Sequence, residues 1–335
     1  MRITFAPGAW IHTGRITVAC ISLCGMVSTK YITPFVQSDE GVRQAAQQLD
    51  AAVNSLISDL HVIKQTTKSP ISEAGTITAA GSYILTNTIE GSITIAASNV
   101  FLDLNGYGVH NESEEGCIIV QGVSRVTITN GHVAGLFPII VVAPASQVLV
   151  QACLVRCTTS AESVGITFSD SPLATCVINS CMITSTAANI GRGVQIDSDT
   201  DSNNCIIIDQ CYLGLLHEGV VFTGNQVNIQ HCFFSSIDGV AVVDNEVTTP
   251  SISVDNTIRN NVFNGCDQGI LSANSTTLIR NNCVRSCTLG IAATIIDHDT
   301  VYGNIALDNT MSYSAIPFEV VGAADTTGCY ANIVL

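Results

Sequence analysis

The sequence predicts an all-β chain folded as a right-handed single-stranded parallel β-helix, with one N-terminal helix ahead of it. Three observations predict this. One position recurs nine times, at Asn105, Gly131, Cys153, Cys181, Cys211, Cys232, Asn261, Asn282 and Asn304, at intervals of 21 to 30 residues. An aliphatic residue stands three places before each anchor: Leu102, Ile128, Val150, Ile178, Ile208, Ile229, Ile258, Ile279 and Val301. From Gly131 onward an apolar residue also follows two places later, at Val133, Val155, Ile183, Leu213, Phe234, Phe263, Val284 and Ala306. Self-similarity at such a period is the mark of a solenoid.

Each repeat offers two or three short β-branched strands, parted by turns rich in Gly, Asn, Ser and Asp. A second phrase, glycine followed by an apolar residue, returns at Gly116, Gly165, Gly193, Gly219, Gly239, Gly269 and Gly290. Strands this short cannot bury themselves alone. Stacked about 4.8 Å apart, they become parallel sheets around one continuous interior. Unequal intervals then mean extra residues bulging from a turn while the inward positions keep register. Nine anchors predict about nine coils within residues 69–335.

Two segments precede the repeats. In residues 1–38, Arg2 and Arg15 lead into an apolar run from Ile16 to Val27. That run has the length of a signal-peptide core and is too short to span a bilayer. Residues 1–38 therefore read as an export signal or as an apolar segment packing on the body. Residues 39–68 read as an amphipathic helix, with Val42, Ala46, Leu49, Val53, Leu56, Leu60 and Ile63 alternating at spacings of four and three. This seam either caps the solenoid or forms a short coiled coil, which would make residues 42–63 a homo-oligomer contact.

Composition narrows the partners. The formal net charge is −15, and lysine occurs only at Lys30, Lys64 and Lys68. From residue 69 the cations are six scattered arginines, so the basic stripe that tracks phosphates is missing and nucleic acid is excluded as a partner. No segment reads as a transmembrane span.

The anchor cysteines pose a choice between packing and chemistry. Zinc sites draw on cysteines paired closely in sequence, whereas Cys153, Cys181, Cys211 and Cys232 are lone residues one coil apart. A buried thiol is a small hydrophobe with weak hydrogen bonding. The expectation is a ladder of core thiols, with Cys266 and Cys287 as a second stack.

The stretch "ITAAGSYILTNTIEGSITIAASNVFLDLNGYGV", Ile77 to Val109, resembles the opening coil of pectin-lyase-like right-handed β-helix proteins. The later V-x-I-x-x-[CN]-x-[IVF] phrases resemble their parallel β-helix repeats, and the likeness covers about residues 75–310. It implies the fold. For activity it implies a choice, since the class contains lyases, hydrolases, epimerases, phage tailspikes and adhesins. Its lyases combine calcium-binding aspartates with an arginine or lysine base, and its galacturonases cluster aspartates with a histidine. The motifs N-T-D, D-D, G-H-G and R-I-K are all missing from this sequence.

Several polar groups are nevertheless candidates. Asp197, Asp199, Asp201 and Asn203 alternate as oxygen ligands do in calcium loops, although Ser202 replaces the turn glycine and Ile208 the late glutamate. Calcium is thus the one cofactor in question, and a solvated acidic turn is the competing reading. One-coil stacking places Arg259 over Arg280, with Tyr302 next in line. Asp238 and Asp267 share a position six residues past their anchors, and His217 and Glu218 lie in a turn. Two carboxylates at a suitable separation can hydrolyse a glycoside. The first functional reading is a non-catalytic, exported or surface-associated scaffold that binds a polysaccharide or cell-surface glycan. The second is a polysaccharide-active enzyme, a lyase or glycosidase, and the third a structural oligomer or fibre component.

Overall fold

The computed structural model describes residues 68–295 except 159, 170–173, 188–189, 198–204, 225, 246–255 and 274–276, with strand segments between 305 and 334. Segment 1–38 and residues 39–67 of the expected helix lie outside the described residues, as does the 42–63 seam. The described part is all β, and every pairing is parallel: an eleven-stranded sheet forms one face and a sheet of 21 strands bends round two others. The winding is right-handed, the sense in which parallel crossovers pack. No described helix is long and apolar enough to cross a membrane.

The inward column before the anchors is the one expected from the repeats. Leu102, Ile128, Val150, Ile178, Ile208, Ile229, Ile258 and Ile279 pair in succession, and all are fully buried. Past the anchors, Val133, Val155, Ile183, Leu213, Phe234, Phe263 and Val284 form a second buried column. A third runs along the eleven-stranded face through Ile118, Ile139, Ile166, Val194, Val220, Val242, Ile270 and Ile291. One continuous interior thus has three walls of apolar ladders, and its stability derives from contact between neighbouring coils. The repeated glycine opens the eleven-stranded face for lack of space: a Cβ on Gly193 would stand 2.6 Å from the Gly219 carbonyl oxygen.

The corner before each anchor is sharp. The residue preceding the anchor is left-handed at Asn130, Ala152, Ser180, Gln210, His231, Asn260 and Asn281, with φ between 51° and 62°. This single reversed residue turns the chain so that the anchor side chain points inward.

Two anchors are corrected. Asn105 is exposed with φ 53°, and Leu104 fills the buried corner in that coil. The coil carries extra residues there, since pairing resumes only at Gly108 with His132. At the other end Ile279 pairs with Ala306, and Val284 with Met311. The ninth anchor therefore falls five residues after Asn304, and Leu307 rather than Tyr302 follows Arg280. Both stretches carry an aliphatic-x-x-Asn phrase; strand pairing decides between them.

Candidate functional site

The cysteines are structural. Each described cysteine is a free thiol. Cys153, Cys181, Cys211 and Cys232 are buried, and their Sγ atoms reach the carbonyls of Ile128, Val150, Ile178 and Ile208 at 3.8, 3.5, 3.7 and 3.5 Å. Burial pushes the Cys157 and Cys176 thiols up to about 12. Burial, with its neighbours Cys181 and Cys232, likewise raises Cys211. A thiol held neutral by burial is a weak nucleophile and a weak metal ligand. Cys266 and Cys287 are buried five places past their anchors.

The polar candidates fall on different edges. Arg259 pairs with Arg280 on the strands before the corner, and the Arg259 guanidinium donates to Gln230 Oε1 at 3.0 and 2.6 Å. His217, Asp238 and Asp267 are exposed and aligned on successive coils, linked by Asp238 N–H to Leu216 O at 3.0 Å and Asp267 N–H to Ile237 O at 2.8 Å. Glu218 is engaged by Arg192 at 2.5 Å. A whole strand stands between the arginine pair and the aspartate line, so they are not one site. Asp197 accepts from Gln195 Nε2 at 2.6 Å. Asp199, Asp201 and Asn203 lie outside the described residues, as does Tyr302. Among the described residues no group of three or more His, Cys, Asp or Glu is arranged to hold a metal ion.

The intervening strands carry what the sequence reading missed. The residue just after each anchor points outward, and register aligns His132, Leu154, Met182, Tyr212, Phe233, Val262 and Cys283 in one column. This column is open to solvent: Met182 is 48% and Phe233 39% exposed. The Tyr212 and Phe233 rings are 5.8 Å apart at 11°. Inside the core, Phe234 and Phe263 stack at 4.8 Å and 10°, the spacing of the strands. The wider separation at the same tilt means that the outer rings are slid past each other, leaving part of each face open. Gly214 makes this arrangement possible, because a Cβ there would stand 2.7 Å from Tyr212 Oη. The signal was present in the repeat as the position one past the anchor, which reads Leu, Met, Tyr, Phe, Val.

Polar groups border this ridge. Across the corner, His231 Nδ1 is 2.9 Å from Asp209 Oδ1, and Asn260 Nδ2 is 3.2 Å from His231 Nε2. With Nδ1–H donated to Asp209 Oδ1, Nε2 accepts from Asn260. At the head of the column His110 Nδ1 is 3.4 Å from Glu90 Oε1, and its Nε2 is 3.2 Å from His132 Nδ1. Burial first, then the nearby His110 and Arg156, lower the pKa of His132. Its Nε2 is buried without a hydrogen-bond partner.

No protein-family model and no curated protein matches the chain. Among solved structures it is similar to an alginate lyase from Paenibacillus sp. str. FPU-7, with a TM-score of 0.51 and 15% identity over 82% of this chain and 91% of that one. It also aligns with a tailspike double mutant of E. coli bacteriophage HK620, at a TM-score of 0.43 and 14% identity over 86% of this chain and 62% of that one. The catalytic domain of a GH87 α-1,3-glucanase aligns at a TM-score of 0.38 and 12% identity, over 79% and 62% of the two chains. The likeness to the alginate lyase shows a shared parallel β-helix fold.

Proposed function

We propose that this protein binds a polysaccharide along the outer face that carries the Leu154–Cys283 column, as an exported or surface-associated scaffold that does not cleave it. The observation that carries this reading is the slid, solvent-facing pair of Tyr212 and Phe233, laid down over Gly214. A pyranose presents an apolar face of C–H groups, and exposed ring faces beside hydrogen-bonding side chains suit it. Column positions repeat at about 4.8 Å, so the face extends over the length of several sugars. Hydroxyl partners border it at His231, Asn260 and Asp209.

A second reading, a polysaccharide-active enzyme, rests on the Asp209–His231 pair at 2.9 Å, which holds an imidazole as a base is held.

Affinity electrophoresis in gels containing alginate, polygalacturonate or laminarin separates these readings. Retardation by at least one polymer is expected, lost in a Tyr212→Ala, Phe233→Ala double variant and reduced in Gly214→Val, which lifts the Tyr212 ring. Unsaturated or reducing ends released by the wild type but not by His231→Ala would establish the enzyme instead. Absence of retardation by any polymer, with unchanged folding, would remove the binding reading.

A further inference from the structure

We propose that His110 and His132 together hold one divalent transition-metal ion, of the copper(II), nickel(II) or zinc(II) class, at the head of the exposed face. The facing nitrogens, His110 Nε2 and His132 Nδ1, are 3.2 Å apart, and the ring centroids are 4.9 Å apart at 72°. Taking a nitrogen about 1.1 Å from its ring centre, a straight N–H···N bond of this length would part the centroids by about 5.5 Å. Two imidazole lone pairs converging on an ion at about 2.1 Å would place the nitrogens about 3.0–3.4 Å and the centroids about 4.5–5.2 Å apart, from a right angle to a tetrahedral one. The observed pair falls within the converging range, which a bent hydrogen bond between the two rings also reaches.

Two neighbours prepare it. Glu90 stands 3.4 Å from the other nitrogen of His110. At that distance the carboxylate acts through its charge rather than a hydrogen bond, favouring a proton on Nδ1 and leaving Nε2 to face His132. Gly108 keeps the space beside that nitrogen open, because a Cβ there would lie 2.6 Å from His110 Nε2. Arg156 opposes a dication electrostatically, and the Glu90 carboxylate offsets it. With two protein ligands the remaining positions belong to water or to hydroxyls of a bound molecule, as in open metal sites. Imidazole pairs favour copper over nickel and zinc, and do not suit calcium or magnesium.

The inference stands independently of the glycan reading, since its test uses the metal alone. Full-length protein is titrated with nickel(II) chloride by calorimetry, and with copper(II) followed by electron paramagnetic resonance. One site per chain is expected above the background of other histidines and thiols. It should vanish in His110→Ala, His110→Gln and His132→Ala, and weaken on the order of tenfold in Glu90→Gln. His231→Ala should keep it. Copper should show hyperfine structure from two nitrogens. Circular dichroism melts confirm that each variant is folded. Nickel binding equal in the wild type and all three histidine variants, or a copper signal indifferent to them, would reduce the pair to a bent hydrogen bond and overturn the proposal.

Discussion

The thiol of Cys232 and the amide of Asn261 face the same backbone carbonyl position one coil apart. Cys232 Sγ lies 3.5 Å from Ile208 O and 3.2 Å from Gln230 O, and Asn261 Nδ2 lies 3.0 Å from Ile229 O. Ile208 O and Ile229 O are each the carbonyl three places before the anchor of the preceding coil. The amide adds a bond the thiol lacks: its Oδ1 accepts the Cys232 N–H at 2.9 Å. Asn261→Cys strands that buried N–H and should cost about 1–3 kcal/mol. Cys232→Asn extends the amide ladder and should hold or raise stability. Urea melts of both variants check this, and equal losses would refute the equivalence.

The inward column tolerates no charge. Ile229 is fully buried between Ile208 and Ile258. Ile229→Asp places an unpaired carboxylate in a continuous apolar interior and should abolish cooperative folding. Ile229→Val removes one methyl group and should cost about 0.5–1.5 kcal/mol. Thermal melts followed by circular dichroism distinguish the two; wild-type stability in the aspartate variant would disprove the register.

The anchor thiols are shielded. Cys153, Cys181, Cys211 and Cys232 are each 2% exposed and unbridged. They should resist iodoacetamide in the folded protein and react completely after denaturation without reductant. Mass spectrometry of peptides carries the answer, and stoichiometric zinc or bridges among the four would contradict a ladder of core thiols.

Acid should weaken the first coils through Asp103. Burial alone would raise its pKa, but bonds from Lys68 Nζ at 2.5 Å, the Asn105 N–H at 2.8 Å and Asn130 Nδ2 at 3.1 Å outweigh it, and the net shift is downward. The folded value is thus below the unfolded one. Its stabilisation is complete above the ordinary carboxylate range and is lost as pH falls through the folded value. Between about pH 5 and about pH 2, Asp103→Asn should lose less stability than the wild type. Parallel acid-limb slopes for the two proteins would show that Asp103 contributes nothing.

Fold and candidate site were unequally legible in the chain. The spacing of Leu102 to Ile279 determined a parallel solenoid, because a strand four or five residues long buries its apolar side only against copies of itself. The glycine phrase and the inward cysteines followed from the same periodicity. Asn105 and Asn304 misled, because a phrase of a few residues also occurs beside loops of variable length, and only pairing of Gly108 with His132 and of Ile279 with Ala306 settles the register. The outer face depended on that register throughout. Tyr212 and Phe233 are 21 residues apart in sequence, and Glu90, His110 and His132 are spread over three coils. Composition counts such residues as few and scattered. Tertiary structure alone decided that they meet, because the strand repeat brings residues a full coil apart within contact distance, and the missing side chains of Gly108 and Gly214 let the rings lie down toward one another.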